Sequence, residues 1–561
     1  MSATVDHQQR VVNHARANTV TRTHSPSDVV PVLDTAIVGA GIGGCFLAER
    51  LVCQGENSGD GEPAGAAARG NVALFERAHR VGGRLWSVRL GQGAVADLGA
   101  MRLHRGLRQV LDVVHRVGLA PDLVPFDFGR PENPVHVRGV TLRQRELADA
   151  ARVPYALAEH ERGLDPAGLA LRAAEAYVPG FAALRRAHHE ARERGDASGA
   201  ARAAGAFRAH RDRATVGGVP LARTTYADAL RAVLGAEAVA LLDDAGGYDL
   251  GASGESAAQQ LALLFRTPPH AEYVTLRHGM QSLPLALCDR FTAAGGDLRL
   301  GHRLLRIDRA EPGADGGARR YRLTFALEDE HGRPTGAHVR VHARTVVLAL
   351  PPGPLLRLAP DGLPCTPRLR ADLAALEAVP AHKLFLLYRT AWWRELGVRR
   401  GRGTTDLPLR QLWYGGTCPP PDDRGSGLLL AAYPSGPATR SWDAARAPGT
   451  DPLAPGGDVV ERAHRLVAAM HQLPDLDAPL AALHQDWNRP PHDGAWHVWR
   501  PGHDPEDVAA RVRRPLPGEA VHLVSDCWTP DPGSVEGVIA CAEAVLGELG
   551  RTPWEGRDGA R

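Results

Sequence analysis

The first strongly hydrophobic run of the chain, Thr35-Ala36-Ile37-Val38, leads directly into a glycine-rich stretch, residues 39–44 (GAGIGG). The run is short and β-prone, and the apolar residues after the glycines continue to about Val52. This pattern predicts a strand, a tight turn and a helix. Residues 55–70 are rich in Gly, Ala and Pro, which is typical of a solvated surface insertion, and a second strand is predicted at 72–75. Together these elements predict a βαβ unit with a lengthened loop.

Residues 145–245 differ from the rest because Ala, Arg, Glu and Leu dominate and β-branched residues are sparse. This texture predicts a helical segment inserted in an otherwise mixed chain. Strand-like runs return C-terminal to it, over residues 273–350, 380–390, 409–434 and 521–524, and residues 535–549 are amphipathic enough for a closing helix. The pattern therefore predicts the α/β class.

The overall composition favours a globular protein that acts on small molecules. A chain of 561 residues with 44% hydrophobic residues suggests about three folding units. A net charge of +2 argues against a nucleic-acid-binding surface or a polybasic membrane patch. The seven scattered cysteines form no CxxC pair, and residues 1–30 contain no apolar core of a signal peptide. We therefore expect a cytoplasmic protein without a metal site, a nucleic-acid partner or a membrane anchor.

The basic residues are strongly biased: 65 of the 66 are arginine and one, Lys383, is lysine. An exposed ammonium can generally be replaced by a guanidinium, but a compact, strongly hydrated charge with a lowerable pKa cannot. Lys383 is therefore a candidate functional residue.

The glycines of residues 39–44 follow a strand and open a helix, as binding of a pyrophosphate to backbone N–H groups requires. Glu76 ends the second strand, where a carboxylate can accept both hydroxyls of a ribose. A second glycine pair follows in Arg80-Val81-Gly82-Gly83-Arg84. Taken alone, either motif is also compatible with an ordinary tight turn.

Together, a strand-ending Glu76 and the following GGR resemble the flavoproteins with two dinucleotide-binding motifs. Residues 97–102 (DLGAMR) resemble the L-amino-acid oxidase stretch in which a Gly-x-Met-Arg turn lies against the flavin. Further blocks agree, namely residues 279–284, 304–307, 346–352, 525–526 and 533–537. By these blocks the chain resembles the flavin-dependent amine oxidases, and among them most closely the L-amino-acid oxidases and amino-acid 2-monooxygenases.

The resemblance implies three domains and noncovalent FAD, since Ala495 stands where monoamine oxidases carry the cysteine that tethers the flavin. A disordered leader (1–33) would precede a Rossmann-like FAD-binding domain (34–105, 273–365 and 515–550). An α+β substrate domain with a mixed sheet (106–145 and 366–514) and a helical domain (146–272) would complete the chain. The implied cofactor-binding residues are Gly39, Gly41, Ile42, Gly43, Gly44, Glu76, Arg77, Gly82, Gly83, Arg84, Gly99, Ala100, Met101, Arg102, Leu304, Asp526, Ser534 and Val535.

The resemblance also implies the substrate site. Lys383 matches the lysine that holds a water against the flavin, Arg102 the clamp for the substrate carboxylate, and Tyr433 a tyrosine that donates to the same carboxylate. Trp496 would form one aromatic wall of the substrate cage. A snorkelling edge lysine and a core tyrosine are the structural alternatives for Lys383 and Tyr433.

Two further departures from the family pattern concern the substrate. Ser534 replaces the second cage aromatic, although it could also simply cap a helix. We hypothesise that the opened wall admits a bulky or polar side chain, with Trp413 or Trp528 replacing part of it. His104 stands where related oxidases have proline, and it is either a catalytic base or a buried, hydrogen-bonded histidine.

The expected reaction is oxidation of the α-amine of an L-amino acid to an imine and then a 2-oxo acid, with release of ammonia and reduction of oxygen to hydrogen peroxide. Oxidative decarboxylation to an amide, as in 2-monooxygenases, and amine or polyamine oxidation are the alternatives within the family. A non-redox flavoprotein isomerase and a catalytically idle FAD-binding scaffold are the alternatives outside it. We further expect a homodimer.

Overall fold

A computed structural model describes residues 32–53, 71–90, 93–249, 254–310, 321–417, 427–445 and 454–551. Most of the expected leader (1–33) and the whole expected surface insertion (55–70) lie outside the described residues.

The helices are α1 (Ile42–Cys53), α2 (Arg108–Arg116), α3 (Pro166–Tyr177), α4 (Phe181–Glu193), α5 (Ala197–Arg213), α6 (Tyr226–Arg231), α7 (Ala236–Gly246), α8 (Ala257–Arg266), α9 (Ser282–Ala293), α10 (Pro352–Leu356), α11 (Pro367–Leu373), α12 (Gly457–His471), α13 (Pro505–Arg513) and α14 (Val535–Glu548). In the described part of the chain, every helix is too short or too polar to cross a membrane.

The strands are β1 (Leu33–Val38), β2 (Val72–Phe75), β3 (Ser87–Arg89), β4 (Val95–Asp97), β5 (Leu103–His104), β6 (Leu123–Phe126), β7 (Pro134–Val137), β8 (Val140–Arg143), β9 (Thr215–Val216), β10 (Val219–Pro220), β11 (Tyr273–Leu276), β12 (Asp297–Arg299), β13 (His302–Arg309), β14 (Tyr321–Glu328), β15 (Pro334–Leu348), β16 (Leu376–Val379), β17 (His382–Tyr388), β18 (Gly401–Thr405), β19 (Gln411–Tyr414), β20 (Gly427–Ala432), β21 (Ala481–Asp486), β22 (Trp496–Trp499) and β23 (Val521–Leu523).

The first large sheet has the order β12-β2-β1-β15-β14-β13, and β23 also pairs with β15. Strands β12, β2, β1, β15 and β23 are parallel, while β13 and β14 join by antiparallel pairing. Parallel strands are buried on both faces, which explains why β1 and β2 are almost continuously apolar. Helices α1, α9 and α14 contribute apolar side chains to the same core. The carboxyl ends of β1 and β23 meet at one edge, where a doubly wound sheet binds its ligand.

The second large sheet has the order β21-β17-β20-β19-β18-β7-β8. Its second strand, β17, is buried at every position and pairs antiparallel with both β20 and β21. A short sheet, β5-β11-β6, and the β16-β22 pair connect this part of the chain to the first sheet. The strand that carries Lys383 is therefore an interior strand and not a sheet edge.

Helices α3 to α7 form the predicted helical segment, and α8 follows it. These helices share a hydrophobic core that contains Leu169, Phe181 and Phe265. Side chains cap three of these helices at the N-terminus: Asp165 accepts from Gly168 N–H, Asp196 from Gly199 N–H and Thr225 from Asp228 N–H. The division of the chain into three domains with the expected boundaries stays a prediction.

Candidate active site

A cavity of about 1560 Å³ extends from the glycine-rich turn after β1 to side chains of the second large sheet and the helical segment. Gly41 and Glu76 line one part of it, and Arg102, Lys383 and Tyr433 line another. All but one of the predicted site residues contribute to the lining. The exception is Gly44.

The glycines after β1 have different functions. Gly39 has a φ of +106°, and a Cβ there would lie 2.4 Å from the Ala349 carbonyl oxygen. A Cβ on Gly44 would lie 1.9 Å from the Gly39 carbonyl oxygen, so this glycine permits close packing of α1 on β1. The prediction that Gly44 contacts the cofactor is therefore wrong. By contrast, a Cβ on Gly41 would meet no atom within 4 Å and would occupy cavity space, as expected where a backbone must approach a pyrophosphate closely.

The second glycine pair packs directly against the first turn. Gly82 and Gly83 have φ values of +118° and +57°, and a Cβ on Gly83 would lie 3.3 Å from the Gly41 Cα. Glu76 joins the turns by accepting the N–H groups of Ala40 and Ala78, both at 2.8 Å. Burial raises the pKa of the Glu76 carboxyl.

Arg80 is the strongest sign that an anionic cofactor binds here. Its guanidinium lies 4.2 Å from the centre of the Trp86 ring, and its buried Nη1 has no hydrogen-bond partner among the described residues. Burial lowers the pKa of Arg80 to about 10. A buried donor without a partner is costly unless a ligand accepts from it. The open space at Gly41 and this guanidinium fit the diphosphate of FAD.

Arg84 and Asp526 form an ion pair at the cavity wall. Arg84 also donates to the backbone oxygen of Ala495 at 3.1 Å. Burial alone would raise the pKa of Asp526, but Arg84 holds it below its ordinary value. The pair joins the GGR turn to the C-terminal motif. Ile42, Arg77, Leu304 and Val535 line the cavity as well.

Lys383 lies at the cavity and is only 3% exposed. Its Nζ donates to the backbone oxygens of Asp97 at 3.0 Å and Gly99 at 2.5 Å, and lies 3.2 Å from Met101 Sδ. It is also 5.0 Å from the centre of the Tyr433 ring. The lysine therefore holds the turn that precedes Arg102, and the snorkelling alternative is wrong.

Arg102 lies in an aromatic box formed by four rings. Its guanidinium carbon is 4.7–5.9 Å from the ring centres of Phe126, Phe128, Tyr273 and Trp413. The guanidinium carbon of Arg402 lies 4.6 Å from the Phe128 ring centre. Among the described residues, no carboxylate forms an ion pair with either guanidinium. Within the described ranges, the Arg102 guanidinium thus lines the cavity without a carboxylate counter-ion, which favours binding of an anion there.

Tyr248, at the end of the helical segment, accepts a hydrogen bond of 3.1 Å from Arg102. Its ring meets those of Tyr433 and Trp496 edge-on, with centres 6.1 and 6.3 Å apart. Burial alone would raise the pKa of Tyr248, but Arg102 and Arg402 lower it below its ordinary value. For Tyr433, burial and Tyr248 raise the pKa. These three rings enclose the space beside Arg102.

Trp413 and Trp528 do not replace the missing cage aromatic. Each is 1% exposed, and neither lines the cavity, so this part of the hypothesis is wrong. Trp413 packs against Arg102 and the phenylalanines instead. Ser534 does line the cavity, and its side chain makes no capping hydrogen bond to α14. Tyr248 is the ring that faces Trp496.

His104 lines the cavity, and its buried Nδ1 has no hydrogen-bond partner among the described residues. Its ring meets Tyr273 edge-on at 6.2 Å. Burial lowers its pKa, so the imidazole is neutral at pH 7. These observations fit neither a fully satisfied core histidine nor a base held by a carboxylate.

Three residues of the site were missed by the sequence reasoning. Arg80 lies two residues before the GGR motif, and its basic character was the available signal. Tyr248 and Arg402 had no such signal, because each belongs to a segment that reaches Arg102 only through the tertiary fold.

Known proteins resemble this chain over most of its length. Residues 64–545 match the model of the family described as flavin containing amine oxidoreductase. The chain is 25% identical to achacin of Lissachatina fulica over 89% of its length and 90% of achacin. It is 26% identical to aplysianin-A of Aplysia kurodai, over 93% of this chain and 92% of that one. It is also 26% identical to an L-amino-acid oxidase of Mus musculus, over 76% of this chain and 56% of that protein.

Among solved structures, putrescine oxidase bound to putrescine superimposes with a TM-score of 0.61 at 18% identity, covering 93% of this chain and 99% of that one. Cyclohexylamine oxidase from Brevibacterium oxydans gives 0.60 at 19% identity, covering 93% and 100%. These likenesses confirm the predicted α/β flavoprotein fold.

Proposed function

Because the chain belongs to the flavin-containing amine oxidoreductases and is therefore an FAD-dependent oxidoreductase, we propose that it oxidises the α-amine of an L-amino acid. The amine loses two electrons and two protons to become an imine, which water hydrolyses to a 2-oxo acid and ammonia. Bound FAD supplies the two-electron oxidation and passes the electrons to oxygen, which becomes hydrogen peroxide.

One observation carries the proposal: the Arg102 guanidinium is buried beside the cavity and has no carboxylate partner among the described residues. Removing a cation from water costs on the order of several kcal/mol, even after the protein relaxes, unless a counter-ion compensates. A guanidinium binds a carboxylate in a planar, bidentate geometry. The α-carboxylate of an amino acid supplies this missing anion, whereas a simple amine or a polyamine would bring a second cation.

The surrounding residues orient the substrate. Tyr248 and Tyr433 place their hydroxyl groups on the Arg102 side of the space, where each can donate to the same carboxylate. Trp496 closes an opposite wall and excludes water. Lys383 keeps the Gly99–Met101 turn in place. Since Ser534 leaves one wall without an aromatic ring, we propose that a bulky or polar side chain fits there.

The names of the relatives indicate two different classes of substrate. The mouse protein is an L-amino-acid oxidase, while the two solved structures oxidise putrescine and cyclohexylamine, neither of which has a carboxylate. Arg102 favours the first. We also propose that FAD is bound noncovalently, because residue 495 is alanine. The homodimer and the cytoplasmic location stay predictions.

The test is anaerobic mixing of the purified yellow protein with each of the twenty L-amino acids and with the matching decarboxylated amines. We expect the flavin absorbance to bleach with amino acids and not with the amines, and peroxide to form when oxygen is admitted. Product mass separates a 2-oxo acid from the amide of a monooxygenase. Bleaching by amines alone would overturn the proposal, and so would a protein without flavin absorbance.

A further inference from the structure

The cavity has an acidic side that the proposed chemistry does not use. Glu255 and Asp531 both line the cavity. Asp531 precedes Gly533 and Ser534 in the C-terminal loop, and a Cβ on Gly533 would lie 3.1 Å from the Trp496 Cβ. The acidic side chains are therefore on the side where Ser534 replaces an aromatic ring. One cavity is therefore lined by the Arg102 guanidinium and by the Glu255 carboxyl.

Glu255 is held in place by the peptide group that joins it to Ser256. Its carbonyl oxygen accepts the Tyr226 N–H at 2.8 Å, and the N–H of Ser256 donates to the Trp499 carbonyl oxygen at 2.9 Å. Its side chain is largely enclosed by protein, and the cavity is where it remains accessible. The peptide group next to the Glu255 side chain is thus fixed to β22, the strand that also carries Trp496.

Glu255 differs from the acids beside it because its carboxyl has no ion pair or hydrogen bond among the described residues. Asp531 pairs with Arg266 at 3.4 Å, and Glu377 pairs with Arg500 at 3.2 Å. Both neighbouring acids are therefore partly neutralised by the protein itself. An enclosed carboxyl without a partner leaves a place for a cationic or donor group of a ligand.

We infer that Glu255, supported by Asp531, binds the distal ammonium or guanidinium group of a basic L-amino acid whose α-carboxylate lies on Arg102. The inference rests on the proposed function. A long cationic side chain satisfies the enclosed carboxyl, while an acidic side chain would be repelled by it. The wall opened at Ser534 gives such a chain its path.

The electrostatics of the pocket agree with this assignment and set its pH dependence. Burial, with Asp531 and Glu377, raises the pKa of Glu255 to about 8. Tyr226 also faces Glu255, and burial and Glu255 raise the pKa of its phenol. The basic groups nearby, Arg266 and Arg500, pair with the other two acids.

The direction of this pH dependence follows from the raised pKa of Glu255. Below about pH 8 the Glu255 carboxyl of the free enzyme carries a proton, which must leave before a cation can pair with it. The preference for a cationic over a neutral side chain should therefore increase as the pH rises through about 8. Below that pH, binding of the cation should release a proton.

The experiment compares L-arginine with L-citrulline, which has nearly the same shape but a neutral end, by anaerobic flavin reduction in the holoenzyme. We expect kcat/KM for arginine to exceed that for citrulline by about 10- to 100-fold at pH 8.5, the range of a hydrogen bond to a charged group. The ratio should fall at pH 7. Titration of the α-amine is common to both substrates and largely cancels in the ratio.

Variants assign the effect to the carboxyl. In Glu255→Gln the ratio of arginine to citrulline should fall to near one and lose its pH dependence. Glu255→Asp keeps the charge and should retain part of the ratio. Glu190→Gln, an exposed acid on α4, is the matched control and should behave as wild type. Flavin absorbance and thermal unfolding check that each variant is folded.

Equal rates with arginine and citrulline in the wild-type enzyme would overturn the inference without any variant. So would a Glu255→Gln enzyme that keeps the preference for arginine. If neutral amino acids reduce the flavin and arginine has no advantage, this inference fails alone. If no amino acid reduces it, the proposed function fails first.

Discussion

Replacing Arg102 with leucine tests the centre of the proposed site. Leucine fits an aromatic box and removes both the charge and the donors. In the wild-type enzyme the guanidinium can make two parallel hydrogen bonds to a substrate carboxylate. We therefore expect Arg102→Leu to lose activity on amino acids while it still folds and binds FAD.

The magnitude follows from those two bonds. A hydrogen bond to a charged group contributes about 1.5–3 kcal/mol. Losing two of them, with Tyr248 and Tyr433 still present to donate, should cost about 3–5 kcal/mol, which corresponds to a roughly 10²- to 10⁴-fold decrease in kcat/KM. The decarboxylated amine of the same substrate has no carboxylate and therefore makes neither of these hydrogen bonds. Its poor rate should stay the same or improve, because a buried cation no longer repels the substrate's ammonium.

The assay is anaerobic stopped-flow reduction of the flavin with each amino acid and its matching amine, in wild type and variant. Arg105→Leu is the control, because Arg105 is nearby in the chain but exposed and paired with Glu272 on the surface. Exposed pairs contribute little, so its rates should stay within about twofold of wild type. A variant that slows amino acid and amine by the same factor would show that Arg102 does not bind the carboxylate.

Three further sets of substitutions test other parts of the site. Tyr248→Phe removes the acceptor of the Arg102 hydrogen bond and should lower kcat/KM for amino acids about tenfold. The control is Tyr177→Phe, which loses a hydroxyl bonded to a backbone oxygen elsewhere in the helical segment and should leave the stopped-flow rates unchanged. Equal effects of the two substitutions would count against Tyr248. Gly41→Ala places a methyl in open cavity space and should weaken FAD binding in a folded protein. Gly44→Ala forces α1 away from β1 and should lower the melting temperature. Titration of the apoprotein with FAD separates the two outcomes. Lys383→Met should slow reoxidation of the flavin by oxygen more than its anaerobic reduction by substrate. A normal rate of the oxidative half-reaction would show that the Lys383 charge does not assist reoxidation.

The parts of the fold and site that the sequence predicted depend on short spacings. The turn after β1, the GGR turn and the Gly99–Arg102 stretch each place backbone and side chain within a few residues, so the motif itself carries the geometry. For this reason Gly41 and Arg102 were placed in the cavity correctly. Gly44 belongs to the same motif, yet its neighbour is the Gly39 carbonyl and not the ligand.

The remaining residues depend on contacts between distant segments. Tyr248 reaches Arg102 across 146 positions of the chain, and no local pattern distinguishes it from a core tyrosine. Trp413 was expected at the open wall, but it lies beneath Arg102 because β19 is an interior strand of the second sheet. Glu255 lies between α7 and α8, and no local pattern of the sequence distinguishes it from an exposed acid. Only the fold shows that its carboxyl is enclosed.

The burial of Lys383 has a practical consequence for measuring motion. It is the single lysine of the chain and is 3% exposed, with its Nζ bonded to two backbone oxygens beneath the cavity. An amine-specific reagent can acylate this side chain only when that part of the structure opens. The rate of acylation, read by peptide mass spectrometry and divided by the rate for a free lysine, therefore gives the equilibrium constant for local opening at one known position. Bound substrate or cofactor that closes the site should slow the acylation.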